Sequence, residues 1–396
     1  MKVKAYQEDL QAALAVVDKF TGSKDIIDHV LIETVGDKLR FTGTNLIQTL
    51  KRSIPAVIEE EGRCLFPSST LLSYIKELPK EIVTMEKDEN KVVIRCARHK
   101  GNMSVINPDM LPRAQEPTQG IITCQVTAEA LSLAINQTIG SAATGNEKPL
   151  MASLNLEGDG TTVGVTGVNG LVLSHTDIPG TGIINIVVPT KAMAELSRLI
   201  SGEKDIMIAY GNNVVSFSFS NTQLLTLVPI GVFPDYRQVI PKPSTKYSKT
   251  SIGTQDLKRA IRATMVLAKD STVVLASSGK FIKVSSLRGE IGDSETEVEA
   301  IMEGAIDIAL NAEYLDDILD TIGEANTEIR VIDGKSPIVI KGVGDTKLWH
   351  IAMPVMRLTA KPEAEEAEAI EEVIEEVEED LEDLDAAIDM EVKRRR

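Results

Sequence analysis

The chain repeats itself three times at the scale of a whole domain. The segments LFPSSTLLSYIKELPK, VVPTKAMAELSRLISG and ALNAEYLDDILDTIGE align on Pro67, Pro189 and Asn311, which are spaced 122 residues apart. After each anchor, apolar residues fall on one face of a helix: Leu71, Tyr74 and Leu78, then Met193, Leu196 and Ile200, then Leu315, Ile318 and Ile322. A second pattern, L-x-x-A-[L/I], opens each unit as Leu10-Ala13-Leu14, Leu131-Ala134-Ile135 and Leu257-Ala260-Ile261. Each unit closes on a β-rich stretch, beginning at Val92, Val214 and Ile338. Short repeats of roughly 20 to 50 residues stack into solenoids, so a period this long means a triplicated domain.

Within the first unit the patterns predict a strand at Lys2 to Tyr6, a helix at Gln7 to Phe20 and strands through Val30 to Glu59. A helix at Ser68 to Leu78 and a closing hairpin from Ile82 to Ile106 follow. Two helices are too few to cross over between so many strands, which excludes a parallel βαβ arrangement. The expected class is α+β, with the helices together on antiparallel sheets. Apolar residues make up 43% of the chain and aromatic ones only 4%, enough to fill several aliphatic cores. The expected division is 1–120, 121–248 and 249–358 for the three domains and 359–396 for a tail, with linkers through Pro108 to Ile122 and Pro241 to Ser251.

Several function classes lack their residues. Glu8 and Asp9 interrupt the opening before any apolar run forms, so no secretion signal or membrane span is expected and the compartment is read as cytoplasmic. Cys64, Cys96 and Cys124 contain no C-x-x-C pair and read as small buried hydrophobes. The four histidines, His29, His99, His175 and His350, have no metal-ligand spacing, and Gly164-x-x-Gly167-x-x-Gly170 is not a phosphate-cradling loop. No enzyme, metal or cofactor is expected.

Charge is distributed unevenly. The net charge is −17, of which the last 38 residues, with 16 acidic and 5 basic side chains, supply −11. In that tail Ile370, Ile374, Val377, Leu381, Leu384 and Ile388 step by fours and threes, which reads either as a solvated acidic segment or as an amphipathic helix that docks. Elsewhere cations gather on predicted helices: Lys76 and Lys80, Lys191 and Arg198, then Lys258, Arg259, Arg262 and Lys269. Such a face would hold a polyanion loosely, whereas ordinary solvated side chains explain the same pattern equally well; Glu313, Asp316, Asp317 and Asp320 argue against a uniformly basic face.

Five segments carry a family resemblance: FTGTNL at 41–46, FPSSTLLSYIKELP at 66–79, VPTKAMAELSRLI at 188–200, FPDYRQVIP at 233–241 and MPVMRL at 353–358. With them, residues 1 to about 358 resemble the bacterial DNA polymerase III beta subunit, or sliding clamp, family. The resemblance implies a head-to-tail homodimer closing into a six-domain ring, with helices lining a hole that encloses double-stranded DNA and a replicative polymerase and clamp loader as partners. It implies that Met103 and Val105 meet Val266 and Leu267 at the subunit interface, and that Lys24 lies near a DNA-contacting loop.

Partners of such clamps insert linear motifs between the second and third domains. Carried over by position, that cleft comprises Met151, Val168, Gly170, Leu171, Val172, Leu173, Pro234, Val239, Met353, Pro354, Met356 and Arg357. The chain departs from the family pattern here. Leu171 and Val172 replace a usual His and Arg, Gln238 replaces a second Arg, and MPVMRL carries one extra residue, so a greasier cleft with altered partner preference is expected. An interaction scaffold built on the same fold remains the rival reading.

Overall fold

The computed structural model describes residues 1–145, 147–242, 246–267, 271–286, 292, 294–345 and 347–356. Met1–Pro354 form one compact body, and Val355–Arg396 are a separate unit. The acidic seam from Ile370 to Ile388 lies outside the described residues.

The first unit runs β1 (Lys2–Tyr6), α1 (Gln7–Val17), β2 (His29–Val35), β3 (Lys38–Thr44), β4 (Gln48–Pro55), β5 (Val57–Glu60), β6 (Arg63–Pro67), α2 (Ser68–Lys76), β7 (Ile82–Asp88), β8 (Lys91–Cys96) and β9 (His99–Ser104). The second comprises β10 (Ile122–Thr127), α3 (Ala128–Thr138), the long strands β11 (Ser153–Val168) and β12 (Val172–Pro189), α4 (Thr190–Leu199), β13 (Asp205–Gly211), β14 (Val214–Phe219) and β15 (Thr222–Leu227). The third holds β16 (Ser248–Gly253), α5 (Thr254–Leu267), β17 (Thr272–Ser278), β18 (Phe281–Ser286), β19 (Glu295–Glu303), β20 (Asp307–Asn311), α6 (Ala312–Thr321), β21 (Asn326–Val331), β22 (Ile338–Gly342) and β23 (Trp349–Ala352).

The sequence anchors have a structural meaning. Pro67, Pro189 and Asn311 are the N-cap residues of α2, α4 and α6. Proline fixes φ near the extended value that the cap requires, whereas Asn311 reaches it differently, accepting a hydrogen bond from the Tyr314 N–H. Behind each cap, Leu71, Leu196 and Leu315 are buried, and the opening helices bury Ala13, Ala134 and Ala260 at their repeated small positions. Helix boundaries differ slightly from expectation. The α-helix of α1 ends at Val17 and a single 3-10 turn continues to Phe20, while strand structure resumes at Ser248, inside the expected second linker.

Among the described residues all strand pairings are antiparallel. In the first unit one sheet has the order β5-β1-β7-β8-β9 and a second joins β6, β2, β3 and β4. The later units add a device the sequence does not display: the closing strand of one unit extends a sheet of the unit before it. Strand β15 pairs with β4, with Leu224 opposite Leu50, and β23 pairs with the start of β12, with His350 opposite Ser174. Among the described residues no helix is long and apolar enough to cross a membrane.

Candidate functional site

Three features are built on this scaffold: a helix face, a pair of inter-unit grooves and two open sheet edges. On the helix side, the charges do not stand free in the third unit. Arg262 Nε donates to Asp316 Oδ1 at 2.8 Å and its Nη2 to Asp320 Oδ2 at 3.1 Å, Lys258 also pairs with Asp320, and Arg259 pairs with Asp256. The cations that share a face on α5 are therefore neutralised by α6. Burial, then the neighbouring Asp316 and Glu313 carboxylates, raise the Asp317 carboxyl above its ordinary range. In the second unit Arg198 pairs with Glu195 on its own helix, and in the first Lys80 pairs with Glu8. Lys24, Lys76 and Lys191 are exposed and have no ion pair among the described residues. Lys269 lies outside the described residues.

The groove between the second and third units gathers part of the expected set. Val168 and Leu173 join Val187, Phe233, Tyr236 and Ile351 in a small cluster separate from the main cores. Gly170 occupies the turn between β11 and β12 at φ +96°, a left-handed conformation that suits glycine. Leu171 beside it is 55% exposed, and its C=O accepts from the Met353 N–H at 2.8 Å. Val239 and Met353 are partly exposed. Pro234 is half-buried and borders a cavity of about 350 Å³ with Phe233 and Tyr236.

Other members fall elsewhere. Val172 is buried in the third unit's core, and Met151 is half-buried while its neighbour Leu150 packs on the small cluster. Pro354 ends the compact body, Met356 is exposed, and Arg357 lies outside the described residues. The sequence reading did not name a further concave part of this region. A groove of about 370 Å³ is lined by Ile240, Pro241, Tyr247, Trp349 and Ile351, with Arg330 stacked 4.9 Å from the Tyr247 ring. The period-2 alternation of Trp349 and Ile351 along β23, continued by Met353 just past its end, was the available signal.

Two histidines are built into this junction. Thr321 donates to the Ile318 C=O at 2.7 Å, so its oxygen accepts from His350 Nε2 at 3.1 Å. That tautomer leaves Nδ1 to accept from Ser174 at 2.6 Å, and Ser174 in turn accepts from Ser141. The chain of hydroxyls crosses from the second unit to the third, and burial pushes His350 down to about 3. His175 accepts from Thr166 at Nδ1 and donates to Asp177 at Nε2, with Trp349 4.9 Å and Tyr236 5.8 Å from its ring. Burial lowers its pKa, opposed by Asp177. These histidines hold structure. Among the described residues no three His, Cys, Asp or Glu gather as a metal site, and burial raises all three buried thiols.

The open edges complete the geometry. Among the described residues strand β9 pairs only with β8, and the first half of β19, Glu295 to Glu299, pairs only with β18. His99 and Lys100 line one edge, and Glu295, Glu297 and Glu299 line the other. Met103, in β9, and Val105, just after it, pack half-buried against the core; Val266, 78% exposed, and half-buried Leu267 end α5.

Comparison with known proteins assigns the whole body. Residues 1–115, 125–235 and 237–357 match, in that order, the N-terminal, central and C-terminal domains of the DNA polymerase III beta subunit. The beta sliding clamp of Staphylococcus aureus is 24% identical over 355 residues, covering 85% of this chain and 91% of that protein. The beta sliding clamp of Pseudomonas aeruginosa is 24% identical over 366 residues, covering 90% and 98%. The crystal structure of the Pseudomonas aeruginosa DNA polymerase III subunit beta superposes with a TM-score of 0.84 at 22% identity, covering 90% of this chain and all of that one, which shows a shared fold.

Proposed function

The chain belongs to the DNA polymerase III beta subunit family, and from that premise we propose that two copies close head to tail around duplex DNA as a sliding clamp, a processivity factor with no catalytic step or cofactor of its own. The observation that carries the reading is the strand edges. Each junction within the chain is made by a closing strand added to the preceding unit's open sheet, and this rule leaves one closing strand, β9, and one open sheet edge, β19, without partners in the described chain. A second copy satisfies both edges twice, and closure leaves no unpaired edge to aggregate. The complementary charges on β9 and β19 favour that pairing, with Met103, Val105, Val266 and Leu267 flanking it.

In this ring the helices face the hole. Lys24, Lys76 and Lys191 supply weak, sequence-independent phosphate contacts, which permit sliding, while the topology supplies retention. Proteins of the replication machinery, the polymerase and the clamp loader among them, dock in the groove between the second and third units. There Leu171, Val239, Met353 and the Trp349–Ile351 strand face offer apolar contact with few side-chain donors. The setting is cytoplasmic.

The test is retention on circular and linearised plasmid at raised salt after loading by a compatible clamp loader. Retention on circles with loss from linear DNA is the expected result; equal loss from both sinks the encircling mechanism. The substitution of Leu171 and Val172 for the family's His and Arg favours one other reading, a scaffold on the same fold with different partners. Failure to stimulate processive synthesis despite retention on circles would select it.

A further inference from the structure

The turn between β3 and β4 repeats, bond for bond, the turn between β11 and β12 that borders the second groove. At the second junction Asn169 Oδ1 accepts from the Leu171 and Val172 N–H groups at 2.8 Å, the Asn169 N–H donates to Val172 at 3.1 Å, and Met353 donates to Leu171. At the first, Asn45 Oδ1 accepts from Ile47 at 3.1 Å and Gln48 at 2.8 Å, the Asn45 N–H donates to Gln48 at 3.1 Å, and Leu227 donates to Ile47 at 3.0 Å. The backbone device is the same.

One position breaks the equivalence. Where the second turn has Gly170, the first has Leu46, held at φ +74° with its side chain 56% exposed. A leucine in that region carries backbone strain that glycine avoids. Its neighbour Ile47 is 62% exposed. Both border a groove of about 240 Å³ whose other walls include Pro112, Arg113, Leu225 and Leu227. That volume falls below the roughly 300 Å³ at which small-molecule pockets begin, and suits one or two aliphatic side chains. No acidic residue lines the groove, and Arg113, the one cation in its lining, has no ion pair among the described residues.

We propose that this groove between the first and second units is a second docking site, for an extended peptide of a protein partner that inserts an apolar side chain or two between Leu46 and Leu227 and sets a carboxylate against Arg113. A single cation beside walls that mix apolar side chains with the neutral polar Thr44, Thr49, Gln115 and Thr226 fits an acidic-apolar peptide and gives a nucleic-acid backbone too little to hold. The proposal rests on reading the groove between the second and third units as a partner cleft, because it is the same turn and strand addition used again.

The experiment is methyl NMR of the full chain titrated with the capped peptide Ser-Leu-Ile-Asp-Gly, following the Ile47 and Ile351 methyl groups separately. Saturable shifts at Ile47 are expected in the unaltered chain and in Leu171→Arg, with affinity weakened at least about tenfold by Leu46→Gly and by Arg113→Glu. Leu46→Gly relieves strain, so its loss of binding reports the missing side chain and not unfolding. No saturable shift at Ile47, or equal affinity in Arg113→Glu, overturns the proposal. Shifts at Ile351 that Leu171→Arg leaves unchanged would instead sink the partner-cleft reading, while a titrating Ile47 that is sensitive to Arg113→Glu would still uphold the first groove.

Discussion

At equivalent places in the two junctions, one pair of facing residues is apolar and the other polar. Leu224 faces Leu50 where β15 meets β4, and His350 faces Ser174 where β23 meets β12; all four side chains are buried. Flanking them, Gln223 faces Lys51 in one junction and Trp349 faces His175 in the other. The strand addition is indifferent to this chemistry because its hydrogen bonds are main-chain bonds. The first junction is held by apolar burial. The second adds a directional relay, from Ser141 through Ser174 and His350 to Thr321, that works only with a neutral imidazole. Identical backbones can thus give one junction insensitive to acid and one that depends on pH.

The largest effect separating the two comes from removing the apolar pair. Leu224→Ala should destabilise the body by about 2–5 kcal/mol, the range for emptying a buried leucine site, with little change between pH 7 and pH 5. Chemical denaturation at both pH values checks this, and a loss that grows strongly with acid would erase the distinction between the junctions.

The second junction should instead weaken in acid. His350 sits at about 3 in the folded chain against an ordinary 6.5, so below pH 6.5 the unfolded chain binds a proton that the folded chain refuses. Stability contributed by this group is complete above pH 6.5 and is lost as pH falls toward 3. It amounts to about 2 kcal/mol between pH 6.5 and 5. His350→Gln, which keeps a donor and an acceptor but cannot titrate, should flatten that slope. An unchanged slope in the variant would place the acid sensitivity elsewhere.

Trp349 offers a smaller and more local reading. It is the only tryptophan, and it contacts His175 in the second junction. Protonation of His175, whose pKa burial holds below 6.5, should quench its fluorescence as pH falls below that value. His175→Asn should abolish the transition while leaving the first junction unaffected; a transition that survives would belong to another group.

The smallest effects concern the helix pairs, which repeat the contrast. Between α3 and α4 the contact is neutral, with Ser132 and Ser197 hydroxyls 2.9 Å apart, whereas α5 and α6 are latched by Arg262, Asp316 and Asp320. Arg262→Ala should cost less than about 1 kcal/mol and leave the salt dependence of DNA binding unchanged, because its charge is already paired. Lys191→Ala should leave stability unaltered and reduce the salt slope by about one. A salt slope that drops for Arg262→Ala and not for Lys191→Ala would reverse the assignment of the phosphate contacts.

Much of the molecule was legible in the chain. The 122-residue repeat and the apolar spacings around Leu71, Leu196 and Leu315 dictate three units with paired helices, because periodicity is a local property that burial reads directly. Leu173 and Met353 were named through the resemblance, and both lie beside the groove between the second and third units. Trp349, Tyr247 and Ile240 were not, since the strand that carries Trp349 meets the segment that carries Ile240 and Tyr247 from about a hundred residues further along the chain.

What the sequence determined by itself is the repeated unit: its helix faces and the equivalent anchor positions Pro67, Pro189 and Asn311, which the structure turns into helix caps. Tertiary structure decided how the units join and which charges are free. Strand addition at β15 and β23 depends on main-chain groups that every residue carries, so no side-chain pattern announces it. Likewise Lys258 and Arg262 read as a basic helix face until α6 brings Asp316 and Asp320 within bonding distance. Charge is written in the sequence, but whether a charge is available is settled by its neighbours in space.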